Sequence, residues 1–443
     1  RLNQLHPNPK RNIRWISMRN FYWLREKHCG WLTIKRNEGK ALKRGNRINN
    51  LRQLLNIRKP VLSPRKRRVQ GSHTIYDLRL AAKKATPRGP FDYTDGAADQ
   101  EISLNRARKT FENIEFSPHI LRDVSNVSLE SNMLGVTYRM PVGIAPTGFT
   151  RMMHTDGEIA GATTAAEFGI PFTLSTMGTT SIEKVKEAAP NGSNWFQLYL
   201  WRDRDRSLEL IERARDAGYD GLVLTVDAQV AGARLRDVRN GLTVPPTLTL
   251  ETFLNALPRP GWWWNFLSKE PLNFATLESW NGTVAQLMDT MFDPSMTYED
   301  LKWIRSIWKK KLIVKGVQRL DDALKCADYG VDAVVLSNHG GRQLDRAPVP
   351  FELLPLVRRE LKSSMELHLD TGIMHGADIV AAKALGADFT WIGRAYLYGL
   401  MAGGKMGVER TLTILQTQMV RTLKLLGARS LAEVDASMVK FRK

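Results

Sequence analysis

Between residues 337 and 343 the chain reads Ser337-Asn338-His339-Gly340-Gly341-Arg342-Gln343. A neutral imidazole accepts a proton near neutral pH. A guanidinium three residues away grips a carboxylate with a planar fork. Two glycines soften the turn between them. The residues just before, Ala333-Val334-Val335-Leu336, form a short apolar run of buried-strand type. A base and a fixed cation at the end of a buried strand are what deprotonation of an anionic substrate requires.

Other short apolar runs end in groups of the same kind. One ends in Ala145-Pro146-Thr147-Gly148 and one in Ser175-Thr176. Another carries Gln197 and Tyr199 two residues apart, and the next carries Thr225 and Asp227, with Arg234 shortly after. Residues two apart on a strand share a face. Lys315 lies in a further run, Asp370-Thr371-Gly372 closes another, and Gly393-Arg394 closes the last. Singly, each has a structural reading: His339 a packed loop histidine, Asp227 a cap, Lys315 half of an ion pair, Arg394 a helix-start charge. Gathered at strand ends, they point to one polar mouth. Gly372, Gly376 and Gly393 beside Arg394 suit a phosphate held by backbone N–H groups and one guanidinium. The mouth offers one histidine and no carboxylate cluster of ligand spacing, so no metal site is expected. Gly-x-Ser-x-Gly is absent, which argues against a serine hydrolase.

The elements that must hold these groups are eight apolar runs: 142–145, 172–175, 195–200, 221–227, 311–316, 333–338, 366–370 and 389–393. Helical patterns follow most of them, at 156–168, 181–188, 205–217, 320–329 and 376–385. Continuous apolar strands alternating with amphipathic helices indicate a parallel sheet covered on both faces. Eight units in about 250 residues predict an α/β fold, a closed (β/α)8 TIM barrel. A doubly wound open sheet is the structural alternative, although no Gly-x-Gly-x-x-Gly follows the first strand. The rhythm breaks once, across residues 228–310, an insertion containing Trp262-Trp263-Trp264-Asn265-Phe266-Leu267. It reads either as a packed lid or subunit contact, or as a patch for the membrane interface, where tryptophan concentrates.

The formal net charge of +20 is local. Residues 1–70 hold 20 of the 65 Lys+Arg but only two of the 45 Asp+Glu, so the remainder is nearly neutral. Residues 1–70 therefore read as a basic, partly disordered arm with a short helix near 51–57, ahead of a body spanning 71–443. Such an arm attracts anionic lipid, nucleic acid or acidic protein; no motif singles out specific nucleic-acid binding. Cys29 and Cys326 have no CxxC or metal spacing, no run is long enough for a transmembrane helix, and no signal-peptide core is visible. A cytoplasmic enzyme is expected, peripheral on the inner face of the cell membrane.

The Ser337–Gln343 loop and its surroundings resemble the FMN-dependent 2-hydroxy-acid dehydrogenase and oxidase family. The likeness runs from about Thr74 to Glu433 and leans toward its bacterial L-lactate dehydrogenases, through Phe91–Gln100, Ala145–His154, Trp195–Leu200 and Arg394–Gly399. The resemblance implies FMN and these roles: His339 as base toward the C2 hydroxyl, Asp227 as its partner, Tyr199 near the substrate oxygen, and Lys315 beside the electron-accepting edge of the flavin. It places Arg234, Arg342, Tyr93, Tyr199 and Met177 around the substrate. It places Pro146, Thr147, Gly148, Ser175, Gln197, Thr225 and Ser337 along the flavin, and Asp370, Thr371, Gly372, Gly393 and Arg394 toward its phosphate. Where the family usually has Asp-Gly-Gly-x-Arg-Arg-Gly, this chain has Asp370-Thr371-Gly372-Ile373-Met374-His375-Gly376, so one arginine is Met374 and more phosphate charge falls to Arg394. The expected activity is oxidation of L-lactate, or a close L-2-hydroxy acid, with electrons passed to a quinone or cytochrome-type carrier by a homo-oligomer, a tetramer favoured. An oxidase producing hydrogen peroxide, and a non-catalytic basic barrel binding nucleic acid or anionic lipid, are the alternatives.

Overall fold

The computed structural model describes residues 61–241, 257–267 and 291–442. The segment near 51–57, the first sixty residues of the arm and most of the insertion lie outside the described residues. Eight parallel strands close into a barrel in chain order: β1 (Val142–Ile144), β2 (Phe172–Ser175), β3 (Asn194–Tyr199), β4 (Gly221–Thr225), β5 (Lys311–Val317), β6 (Ala333–Leu336), β7 (Glu366–Leu369) and β8 (Phe389–Ile392), with β8 pairing back onto β1. The closed barrel is thus borne out, and the open-sheet alternative is excluded.

Strand periodicity explains where the polar groups go. Phe196, Leu198, Leu222, Leu224, Leu312, Val314, Val334 and Leu336 belong to the outer apolar layer. Alternate residues Trp195, Val223, Ile313, Ala333, Val335, Phe389 and Trp391 fill the barrel interior. Continuing inward-facing positions toward the C-terminal ends gives Gln197, Tyr199, Thr225, Asp227, Lys315, Ser337 and Asp370. Period two therefore carries one apolar interior directly into one polar mouth. The opposite end is closed by a hairpin of Ser131–Met133 and Val136–Tyr138: Met133 and Tyr138 join the interior cluster, and the Leu134 N–H donates to Glu366 Oε1 at 2.6 Å.

Helices α1 (Pro64–Gln70), α2 (Ile75–Ala85), α3 (Arg88–Asp95) and α4 (Ile102–Glu112) precede the barrel. The boundary expected at residue 70 falls at the end of α1, and the compact unit begins at Val61. The reason is packing: Val69 is 2% exposed, Arg65 Nε donates to Gly403 O at 2.8 Å, and Arg65 pairs with Asp156 at 3.1 Å. The basic run 65–68 is partly spent on holding the body. Among the following helices, α5 (Gly157–Phe168), α6 (Ile182–Ala188) and α7 (Arg204–Asp216) match the predicted patterns within two residues. So do α11 (Leu320–Asp328) and α13 (Gly376–Ala384). Within the insertion lie α8 (Leu235–Arg239), α9 (Pro260–Leu267) and α10 (Tyr298–Ile307); α12 (Pro350–Leu361), α14 (Arg394–Gly403) and α15 (Lys405–Leu426) complete the set used below.

Candidate active site

His339 opens a short turn directly after β6, with φ of 57°, a left-handed conformation unusual for a non-glycine residue. Several bonds hold it there. The His339 N–H donates to Ser337 Oγ at 3.0 Å, and the Gly341 N–H donates to Asn338 Oδ1 at 3.0 Å. Asn338 Nδ2 in turn donates to Pro348 O at 3.1 Å. The ring then meets Asp227, with Nδ1 and Oδ1 2.9 Å apart. The Asp227 side chain is 2% exposed, and a Cβ at Gly316 (φ +107°) would lie 2.6 Å from its Cγ. Only glycine permits that approach and that φ together. Burial raises the Asp227 pKa, but His339 and Lys315 outweigh it and hold the carboxyl below its ordinary value. Asp227 therefore fixes Nδ1 as the protonated nitrogen and leaves Nε2 facing Tyr199, whose hydroxyl is 3.4 Å away. Tyr199 stacks at 6.4 Å from the imidazole and meets Phe292 edge-on at 5.4 Å. Burial, then the Asp227 charge, raises its phenol pKa, so it stays a neutral hydroxyl.

Two guanidiniums face this pair. Arg342 lies over the Tyr93 ring at 4.7 Å and Arg234 over the same ring at 5.2 Å. Arg342 donates to the backbone carbonyl of Tyr93. Burial and then Arg234 push the Arg342 pKa down to about 10. A buried, mutually repelling arginine pair is a strong seat for an anion. Gln343 ties the two arginine segments together: the Gly232 N–H donates to Gln343 Oε1 at 3.0 Å, and Gln343 Nε2 donates to Val230 O at 3.0 Å.

Lys315 lies deeper, 6% exposed, with Nζ 3.0 Å from Asp370 Oδ2 and 3.1 Å from Ser337 Oγ. Burial opposes its charge, yet Asp370 and Asp227 prevail and raise its pKa, so it is a fixed cation. Ser175 Oγ donates to Gln197 Oε1 at 3.0 Å, while Gln197 Nε2 and Thr225 Oγ1 are buried without a partner among the described residues. Met177 is 5% exposed and packs on Gly148, where a Cβ would lie 2.8 Å from its own Cβ. Thr371, at φ 72°, donates to Asn338 Oδ1 at 3.2 Å and to Asp370 Oδ1 at 2.9 Å. Pro146, Thr147, Gly372, Gly393 and Arg394 line the same cavity, whose volume is ≈ 830 Å³. That volume suits a cofactor-sized ligand. The cavity brings together every sequence-predicted site residue except Gln197, Asp227, Thr225 and Ser337; these four lie just behind its wall, bonded or adjacent to residues that line it.

Arg394 departs in detail from its expected use. Three of its five N–H groups are committed to backbone carbonyls: Nε to Thr94 O at 2.9 Å, Nη1 to Gly340 O at 2.8 Å and Nη2 to Gly96 O at 2.7 Å. It fastens the Tyr93 segment to the His339 loop. Sequence reasoning missed Gly316, Phe292 and Arg108. Glycine next to Lys315 was the only available signal for Gly316; Phe292 and Arg108 reach the cavity from distant segments, and no spacing announces that.

The FMN-dependent dehydrogenase family matches residues 82–441. A protein of Mycobacterium tuberculosis named "Putative L-lactate dehydrogenase" is 58% identical over 389 residues, covering 88% of this chain and 94% of that one. An L-lactate dehydrogenase of Xanthomonas campestris is 38% identical over 366 residues, covering 81% and 94%. The crystal structure of a monotopic membrane protein, (S)-mandelate dehydrogenase, superposes with a TM-score of 0.80 at 36% identity, covering 84% of this chain and all of that one. The chain belongs to the FMN-dependent 2-hydroxy-acid dehydrogenase family, and it is an FMN flavoenzyme. The unpartnered Gln197 amide and Thr225 hydroxyl, with Lys315 in register beside Thr225, are the donors a flavin ring edge would satisfy, so the residues present fit the cofactor.

Proposed function

We propose that this enzyme oxidises L-lactate, or a close L-2-hydroxy acid, to the 2-oxo acid and hands the electrons to a quinone or cytochrome-type carrier. The observation that carries the mechanism is the His339–Asp227 pair facing the two-arginine seat at Tyr93. Arg234, Arg342 and the Tyr93 hydroxyl hold the substrate carboxylate. His339 Nε2 takes the C2-hydroxyl proton, and Asp227 stabilises the imidazolium that results. Tyr199 donates toward the substrate oxygen. FMN, held along Gln197, Thr225 and Lys315, would supply the two-electron acceptor for this oxidation. Lys315, held cationic by Asp370, offsets the negative charge that the oxidation delivers to its side of the site. The cofactor-facing assignments are Pro146, Thr147, Gly148, Ser175, Gln197, Thr225, Lys315 and Ser337, with Asp370, Thr371, Gly372, Gly393 and Arg394 toward the phosphate. Met177 sets the side-chain pocket, and its size is compatible with lactate.

Peripheral membrane contact belongs to the same reading. In α9, Trp264 is 78% and Leu267 70% exposed, while Trp262 stacks on Phe266 at 4.8 Å and donates from Nε1 to Met152 O at 3.2 Å. The helix is anchored on one side and offers large apolar groups on the other, as an interfacial segment does. No helix among the described residues is long and apolar enough to span a bilayer. The basic arm of residues 1–60 adds attraction to anionic lipid at the inner face of the cell membrane, and a homo-oligomer, a tetramer, multiplies both contacts.

The test is anaerobic bleaching of the bound flavin by a panel of 2-hydroxy acids, followed by reoxidation with a quinone or with air. Fast bleaching by L-lactate and fast quinone-linked turnover are expected. Brisk peroxide formation without quinone reduction would replace the dehydrogenase reading by an oxidase. Absence of bleaching by any 2-hydroxy acid would end both.

A further inference from the structure

The phosphate end of the cofactor site lacks an obvious cation. The cavity is lined by six arginines and Lys315, and most are committed elsewhere. Arg79 holds Asp95 through two bonds, at 2.5 and 2.8 Å. Arg236 bridges Asp95, at 3.0 Å, and Glu101. Arg234 and Arg342 flank Tyr93 at the His339 end, and Lys315 is held by Asp370. Arg394 spends three N–H groups on the carbonyls of Thr94, Gly96 and Gly340. His375 caps α13, its Nδ1 accepting the Ala377 N–H at 3.0 Å; burial depresses its pKa, so it supplies no charge there.

Arg108 remains. It projects from α4 onto the loop after β7, where Nη1 donates to Gly372 O and to Asp378 Oδ2, both at 2.6 Å. Those two bonds fix the guanidinium plane. Its side chain is 32% exposed and lines the cavity, and Nε and Nη2 have no acceptor among the described residues. Gly372 and Ile373 line the cavity with it, as do Gly393 and Arg394 after the neighbouring strand β8, each carrying a backbone N–H. None of the four has an acceptor outside the regular elements among the described residues. A preset guanidinium with open donors beside a group of open amides is the arrangement that binds a phosphate dianion.

We propose that Arg108, from the helix ahead of the barrel, is the principal cation for the FMN phosphate, replacing the charge that position 374 does not provide. Arg394 then acts mainly as the clasp between the Tyr93 segment and the His339 loop. The proposal rests on FMN lying with its phosphate toward the loops after β7 and β8.

Purified holoenzyme is equilibrated with increasing free riboflavin, which lacks the phosphate. Bound FMN and bound riboflavin are then quantified after ultrafiltration, which gives the preference for FMN over riboflavin. Arg108→Met is expected to cut that preference about 10- to 100-fold, the range for losing a charge-assisted hydrogen bond, with little effect on riboflavin itself. Arg108→Lys keeps a charge but loses the fork, so it should fall between wild type and Arg108→Met; it also serves if Arg108→Met does not fold. An unchanged preference in either folded variant overturns the proposal, even if both flavins bind more weakly, because Arg108 would then only support the Gly372 loop. Wild-type protein that carries no flavin at all would instead refute the cofactor assignment itself.

Discussion

Asp227→Asn separates charge from geometry at the base. Asparagine keeps an oxygen that can accept the His339 Nδ1–H, so the ring orientation survives. What disappears is a full negative charge 2.9 Å from the imidazole, on a side chain that is 2% exposed. For unit charges about 4 Å apart at an effective dielectric near 20, the interaction is about 4 kcal/mol. Imidazolium forms only as the substrate proton transfers, so most of this acts on the barrier and little on substrate binding. At about 1.4 kcal/mol per decade the upper bound is about a thousandfold in rate, and the remaining neutral hydrogen bond brings the expected loss to about 100- to 1,000-fold. The assay is single-turnover bleaching of the bound flavin by L-lactate without oxygen, on protein whose flavin content matches wild type. The bleaching rate should fall while the half-saturating lactate concentration changes by less than about threefold. A rate within tenfold of wild type would refute the idea that a developing imidazolium limits the step, and with it the role of His339 as base.

Arg342→Lys should lower kcat/KM for L-lactate by about 10- to 100-fold, since lysine retains charge but neither the fork nor the stacking on Tyr93; steady-state kinetics with a dye acceptor reads this. Asp95→Asn should destabilise the fold by about 2–3 kcal/mol near neutral pH, because Arg79, Arg236 and Tyr398 all converge on that carboxylate. Burial raises the Asp95 pKa but Arg79 and Tyr398 bring it below its ordinary value, so its stabilisation is complete above the unfolded pKa of about 3.9 and is lost as pH falls through the folded one. Denaturant melts should therefore separate wild type from Asp95→Asn at pH near 7 and converge in acid; a constant gap would contradict the linkage. Trp264→Ser combined with Leu267→Ser should weaken sedimentation with anionic vesicles severalfold while leaving dye-linked lactate oxidation unchanged, as both residues are largely exposed.

Why so much of the site was legible follows from strand geometry. Once eight apolar runs are placed side by side and parallel, alternate residues at their C-terminal ends have one place to go. Tyr199, Asp227, Lys315, Ser337 and Asp370 were therefore readable as a group before any distance was known. What the one-dimensional pattern lacks is the reach of side chains across the mouth. Nothing in Arg394 indicates that its donors go to Thr94, Gly96 and Gly340, some 300 and 54 positions away. Nothing in Ile102–Glu112, an ordinary amphipathic helix, indicates that Arg108 crosses to Gly372, 264 positions on. Basic composition misled at residues 65–68 for the same reason: a charge run looks solvated until Asp156 and the Gly403 carbonyl are set opposite Arg65. Barrel strands specify the chemistry that faces inward, and the helices outside them decide which charges remain available. A change at Arg108 or Arg65, far from His339 in role, is thus expected to alter cofactor retention or docking of α1 while the base and its aspartate stay in place.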